Sequence, residues 1–324
     1  MNWPTPTLAD VFKARRAIAP FLQRTPVLEP AGLAAALGCR AVLKCENLNP
    51  TGAFKVRGGV NLVASLEPAV RARGVVAAST GNHGQSVAYA ARLFDTQARI
   101  FMPEAANPLK VAATLALGAE VIQTGHDFDA ARLAAEAYAA RHEVRYIHSS
   151  NEPMLVAGVA TAALELLEAV PELEVIFVPI GAGSGALGAG VVARAVNPAI
   201  RVIGVQAEGA PAVYRSWREG RRVVTERVTT FAEGLATREP FDMPLALLPR
   251  LVDEIMLVDD NQLADAIRLV LETARQVVEG AGAAPVAAAL ARRDELAGKS
   301  VGLILSGGNI TVEQLRHILN HERP

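Results

Sequence analysis

One pattern recurs along most of the 324 residues: a short β-rich run, a turn containing glycine, then an Ala/Leu-rich helix. Val175–Pro179, Arg201–Gln206 and Val301–Leu305 are almost unbroken apolar runs. Ala41–Cys45, Gly74–Ala78, Ala98–Met102 and Glu120–Gln123 are further strand candidates. Continuous Val/Ile runs suit strands covered on both faces. Between them, Gln85–Phe94, Pro108–Leu117, Phe128–Arg141, Pro153–Glu168 and Gln262–Val278 space their apolar residues helically. This alternation predicts an α/β fold of open, mostly parallel sheets with helices on both faces. The length suggests about two domains. No linker or repeat marks a boundary, and Tyr214–Pro249, with mixed charge, Gly and Pro, reads as irregular: a surface excursion or an active-site segment.

Charge narrows the partners. With 32 Lys+Arg against 33 Asp+Glu, the net charge of −1 argues against nucleic acid or an anionic membrane. A small charged substrate remains compatible, because a site can be charged on a neutral protein. No run offers about 20 uninterrupted apolar residues for a membrane span, and the start, MNWPTPTLADVFKARR, lacks the apolar core of a signal peptide. Cys39 and Cys45 provide no disulfide framework or zinc set, which fits a reducing cytoplasm. The cations comprise 27 Arg and only five Lys: Lys13, Lys44, Lys55, Lys110 and Lys299. Only these five side chains can form an imine.

Glycine-containing turns carry the chemistry. In Asn49-Pro50-Thr51-Gly52-Ala53-Phe54-Lys55-Val56-Arg57-Gly58-Gly59, turn formers precede a helical run, so Lys55 should open a helix. The positive end of a helix disfavours ammonium, which would lower the lysine's pKa and free it as a nucleophile; a solvated first-turn lysine is the ordinary alternative. In Ala78-Ser79-Thr80-Gly81-Asn82-His83-Gly84-Gln85, hydroxyls, an amide and exposed backbone N–H groups could hold a carboxylate. An ordinary capped turn would look the same. In Val178-Pro179-Ile180-Gly181-Ala182-Gly183-Ser184-Gly185-Ala186-Leu187-Gly188, successive backbone N–H groups make an anion nest suited to phosphate. Gly183–Gly188 also matches G-x-G-x-x-G, with Glu208 as the acidic residue, so a nicotinamide oxidoreductase is a reading from another class. A P-loop is excluded, because no Gly-Lys-Ser/Thr follows. Leu305-Ser306-Gly307-Gly308-Asn309 reads, from spacing alone, as a plain turn.

Together the four segments are more specific than any one. The set resembles the serine/threonine dehydratase and serine racemase family of pyridoxal-phosphate enzymes, of the tryptophan-synthase β-subunit fold (fold type II). Order and spacing match from Thr25-Pro26 to Asn309. The glycine turn is the looser match, having Ala182 and Ser184 where the family often has an unbroken glycine run. The resemblance implies that Lys55 holds the cofactor through an imine, with Phe54 packed near its ring and Asn82 on its 3′-oxygen. Ser79, Thr80, Gly81 and His83 would bind the substrate carboxylate. Gly181, Ala182, Gly183, Ser184 and Gly185 would hold the phosphate, Ser306 would face the pyridine nitrogen, and Gly234 and Glu279 would line the cofactor pocket. A smaller domain, residues 50–148, would be inserted in a larger one formed by 1–49 and 149–324. A homodimer acting on a small amino acid in the cytoplasm is also implied.

The implied reaction is dehydration and deamination of L-threonine or L-serine to a 2-oxo acid and ammonia, with Lys55 taking the α-proton. Another β-hydroxy amino acid, such as 3-hydroxyaspartate, or racemisation of serine are the alternatives. A hydroxyl such as Ser306 is a poor anchor for a protonated pyridine nitrogen, which favours prompt loss of the β-hydroxyl. Racemases of the family have serine at Thr80 and many dehydratases alanine, so Thr80 keeps a hydroxyl that could donate a proton on the second face. Metal-dependent relatives carry acidic ligands where this chain has Gln206 and Ala212, so no metal is expected. The chain stops soon after Asn309, too soon for the regulatory domain of biosynthetic threonine dehydratases.

Overall fold

The structure, a computed structural model, describes residues 3–322; residues 1–2 and 323–324, the outer ends of the expected larger domain, lie outside the described residues. Its strands are β1 (Val27–Leu28), β2 (Arg40–Cys45), β3 (Val75–Ala78), β4 (Ala98–Met102), β5 (Glu120–Gln123), β6 (Arg145–Tyr146), β7 (Val175–Pro179), β8 (Arg201–Ala207), β9 (Glu254–Val258) and β10 (Ser300–Leu305). A six-stranded sheet has the order β1-β2-β10-β7-β8-β9, and only its β1–β2 pair is antiparallel. A four-stranded sheet, β5-β4-β3-β6, is wholly parallel.

Both sheets are covered on two faces, as the continuous apolar runs require. Along β7 the side chains alternate. Val175 and Phe177 join a core with the helices Ala31–Leu37, Asp260–Ala274 and Gly280–Ala291. Ile176 and Val178 join a second core with Leu8–Ile18, Pro153–Ala169, Ser184–Val196 and Asp242–Leu251. Burying one such side chain, Phe177 for example, contributes about 1.5–3 kcal/mol. The four-stranded sheet packs one face on the helices Lys55–Ala64 and Asn82–Leu93 and the other on Phe128–His142.

Each strand expected from the sequence is present to within a residue. Three more were not legible. β1 and β6 have two residues each, too few to show a period, and β9 is an edge strand with only Ile255 and Val258 buried, which breaks the alternation. The expected helix Gln262–Val278 is instead Asp260–Ala274. It stops where Arg275 adopts a left-handed φ of 56°, and a separate helix begins at Gly280. That second helix is buried on every side from Gly280 to Ala289, so it has no polar face to betray its period. Tyr214–Pro249 is irregular only in its middle. Ala212–Glu219 and Asp242–Leu251 are helical, the latter burying Met243, Leu247, Leu248 and Leu251 at helical spacing despite Pro244 and Pro249.

The helix that Lys55 opens is clamped between two others. A Cβ on Gly58 would lie 2.7 Å from the Leu155 side chain, one on Gly158 2.5 Å from the Arg57 carbonyl, and one on Gly59 2.3 Å from the Ser86 hydroxyl. The three glycines let Pro153–Ala169 and Asn82–Leu93 approach to backbone contact. Beneath, four charged side chains are sealed from solvent. Arg57 binds Glu46 (2.7 Å) and Glu165 (2.7 Å), and Lys44 binds Glu165 (2.7 Å) and the Thr25 carbonyl (2.8 Å). This cluster fastens the helix to β2 and to Pro153–Ala169.

Candidate active site

β3, β7 and β10 point their carboxyl ends into one crevice, where ligands of open α/β sheets bind. A cavity of about 1180 Å³ occupies it, enough for a cofactor and an amino acid together. Its walls include Phe54, Lys55, Ser79, Thr80, Gly81, Asn82, His83, Gly181, Ala182, Gly183, Ser184, Gly185, Gly234, Glu279 and Ser306. The structure therefore gathers every site residue expected from the sequence around one space.

Lys55 is the first residue of its helix, as its turn predicts. Its Nζ donates to the Ser184 hydroxyl (2.6 Å) and the Ser149 carbonyl (3.2 Å), and lies 5.3 Å from the centre of the Phe54 ring. No carboxylate is paired with it among the described residues. Although partly reached from the cavity, the amine is enclosed by protein, and this desolvation brings its pKa down to about 8. The expected lowering is present, and burial drives it.

The turn after β7 is a cradle of backbone. A Cβ on Gly181 would lie 2.0 Å from the Gly234 carbonyl oxygen, and Gly183 has a left-handed φ of 93° as it caps the Ser184–Val196 helix. The first intrahelical bond runs from the Leu187 N–H to the Gly183 carbonyl, so the amides before it have no intrahelical acceptor. The remaining glycines of the G-x-G-x-x-G match have packing roles. A Cβ on Gly185 would press on the Phe54 ring (3.2 Å), and one on Gly188 on the Ala160 backbone (2.9 Å).

The turn after β3 leads into the Asn82–Leu93 helix and carries neutral donors. The Ser79 hydroxyl accepts from the Gly81 N–H (3.0 Å). His83 is buried with Nε2 3.1 Å from the Ile147 carbonyl, and burial, with the Lys55 charge nearby, drops its pKa to about 3. The imidazole is thus neutral and turned toward Ile147, leaving the backbone amide of His83 as its group for an anion. Asn82 donates to Glu279 (2.7 Å) and accepts from Asn309 (2.8 Å), which also donates to the Thr51 carbonyl (2.9 Å). Burial raises the pKa of Glu279 despite the Asn82 bond. The segment after β10 is therefore more than a plain turn: Ser306 lines the cavity and Asn309 ties together the turns at Thr51 and Asn82.

Several cavity residues carry no role from sequence reasoning. Ser149, Lys110 and the irregular stretch at Val228, Glu233 and Ala236–Glu239 all line it, so that stretch is a wall of the cavity rather than a surface excursion. Lys110 pairs with Glu233, and Arg238 with Asp127 (3.6 Å) and Asp129 (3.5 Å).

With this geometry in place, resemblance to known proteins becomes informative. Residues 18–307 match the family model described as pyridoxal-phosphate dependent enzyme. The chain is 41% identical over 314 residues to an L-threonine ammonia-lyase of Thermotoga maritima, covering 97% of this chain and 78% of that protein. It is 36% identical to an L-threo-3-hydroxyaspartate ammonia-lyase of Saccharomyces cerevisiae, covering 97% of each. The solved structure of maize serine racemase superposes with a TM-score of 0.91 at 31% identity, over 98% of this chain and 99% of that one.

Proposed function

From membership of the pyridoxal-phosphate-dependent enzyme family, to which this chain belongs, we propose that it is an ammonia-lyase that dehydrates and deaminates L-threonine and L-serine. The observation that carries the proposal is a buried, carboxylate-free amine at Lys55 on one cavity with both a glycine cradle and the neutral Ser79–His83 turn. The nicotinamide reading leaves that amine without a task.

The residues fit pyridoxal phosphate. Lys55 supplies an amine that is readily deprotonated, the Gly181–Gly185 cradle supplies amides where a Cβ would collide, and Ser306 supplies a neutral hydroxyl. When bound, the cofactor withdraws electrons from the substrate's α-carbon and makes its proton acidic. Around it, the chain's own groups divide the work. The Ser79–His83 turn orients the substrate by its carboxylate. With the cofactor held there, Lys55 Nζ would be the group placed to take the α-proton, and the burial that lowers its pKa favours the neutral amine such a base needs. Asn82, fixed by Glu279 and Asn309, presents its amide at the cavity wall. Thr80 lines the cavity with a hydroxyl on a β-branched side chain whose rotamer is restricted, so racemisation is the minor path.

The proposal includes a two-part chain, with residues 50–148 as the smaller unit; the four-stranded sheet lies wholly within them and the six-stranded sheet wholly outside. It also includes a homodimeric, cytoplasmic enzyme. The deciding experiment incubates the pyridoxal-phosphate-loaded enzyme with L-threonine, L-serine and L-threo-3-hydroxyaspartate, measuring 2-oxo acid and D-serine together. Threonine and serine should yield oxo acid fastest. Faster D-serine than pyruvate would make the protein a racemase, and preference for hydroxyaspartate would move it to that substrate.

A further inference from the structure

The turn proposed to receive the substrate carboxylate has no positive charge of its own. Ser79, Thr80, Gly81 and Asn82 are neutral, and His83 is held neutral by burial. A carboxylate leaving water for such a site loses solvation that neutral hydrogen bonds only partly replace. Three lysine or arginine side chains line the cavity among the described residues: Lys55, Lys110 and Arg238. Lys55 is committed to the cofactor, and Arg238 is shared between Asp127 and Asp129.

Lys110 remains, and its position is specific. A Cβ on Gly81 would lie 3.7 Å from Lys110 Nζ and 3.9 Å from its Cδ, so the lysine arches directly over the middle of the turn. Its side chain is only 13% exposed. Its partner, Glu233, is 42% exposed and sits on the short 3-10 turn Glu233–Leu235, beside Gly234 at the phosphate cradle. The ammonium therefore has one half-exposed carboxylate to leave and room beside Gly81 for another.

Resting on the proposed function, we propose that Lys110 is the counter-charge for the substrate's α-carboxylate: on docking at the Ser79–His83 turn, the carboxylate takes the Lys110 ammonium from Glu233. Glu233 is then a competitor for the lysine, and its removal should strengthen substrate binding. This separates the proposal from a simple latch between Lys110 and Glu233, which either substitution would break alike.

The test uses the loaded enzyme and follows the visible absorbance change on titration with L-alanine, which has no β-hydroxyl to lose, and with L-alaninamide, which lacks the carboxylate. Lys110→Met should weaken L-alanine binding about ten- to hundred-fold, the range for one charge-assisted bond, and leave L-alaninamide unchanged. Glu233→Gln should tighten L-alanine. Lys110→Arg, which keeps the charge, should bind L-alanine more tightly than Lys110→Met. Equal weakening by Lys110→Met and Glu233→Gln, or equal loss for the amide, would overturn the proposal. Should Lys110→Met fail to fold, Glu233→Gln still decides, since unchanged or weaker alanine binding there sinks the idea. Wild-type enzyme that binds L-alanine in this pattern but dehydrates nothing would overturn the proposed function alone.

Discussion

Lys55 and Arg57 lie two residues apart on one helix, and their surroundings make them opposites. Arg57 is fully buried between two carboxylates. Burial opposes its charge, but Glu46 and Glu165 override that and hold its pKa above the ordinary value. Glu46 shows the reverse balance: burial pushes its carboxyl up, and Arg57 brings it below the ordinary value. Lys55 faces the cavity with only a hydroxyl and a carbonyl for company, and desolvation takes it down to about 8. One turn of helix thus carries a permanently charged anchor and an amine ready to lose its proton. Partner carboxylates, rather than depth alone, decide which is which.

The sharpest way to break this contrast is to remove the reactive member. Lys55→Met should lower turnover about 10³-fold or more, since one residue serves as nucleophile and base, and should abolish the borohydride-reducible adduct with the cofactor. An adduct appearing on Lys44 or Lys110 in wild type would refute the assignment. Replacing the anchor should act on stability instead. Arg57→Leu leaves Glu46 and Glu165 buried with one cation fewer, a change that costs about 3–5 kcal/mol, measurable by urea unfolding. Lys44→Met is milder, because Glu165 retains Arg57; about 1–3 kcal/mol is expected. If Lys44→Met proves as damaging as Arg57→Leu, the carboxylates are not satisfied chiefly by the arginine.

The smallest effect is a pH dependence. The folded-state pKa of Lys55 lies below its ordinary 10.5, so the folded cofactor-free protein binds this proton less tightly than the unfolded chain. The penalty is complete below about pH 8 and disappears as pH rises toward 10.5. Lys55→Met should therefore gain stability over cofactor-free wild type at pH 7, and that gain should shrink by pH 9. A constant difference would mean Lys55 is not desolvated.

Local signals were legible in the sequence, and long-range ones were not. The buried strands, the lysine at a helix start and the two strand-to-helix turns each lie within a dozen residues, so turn chemistry and period expose them. Lys110 meets Glu233 across 123 positions and Asn309 meets Asn82 across 227. Neither pair has a spacing to read. The burial that lowers the Lys55 pKa was hidden for the same reason: the helix start is a local fact, whereas enclosure by Ser149 and Ser184 comes from distant parts of the chain. The Gly280–Ala291 helix was hidden differently, since a segment buried all round shows no amphipathic period.

The strand order of the larger sheet has a consequence for biosynthesis. β10, residues 300–305, leaves the ribosome after every other strand of this sheet, yet it sits between β2 and β7. Until it emerges, neither strand can find its native neighbour on that side, and both present open edges suited to mispairing. The four-stranded sheet, complete by Tyr146, faces no such delay. A nascent chain would thus hold one finished sheet and one waiting for its centre, and Ser306, immediately after β10, would reach the crevice only at that closing step.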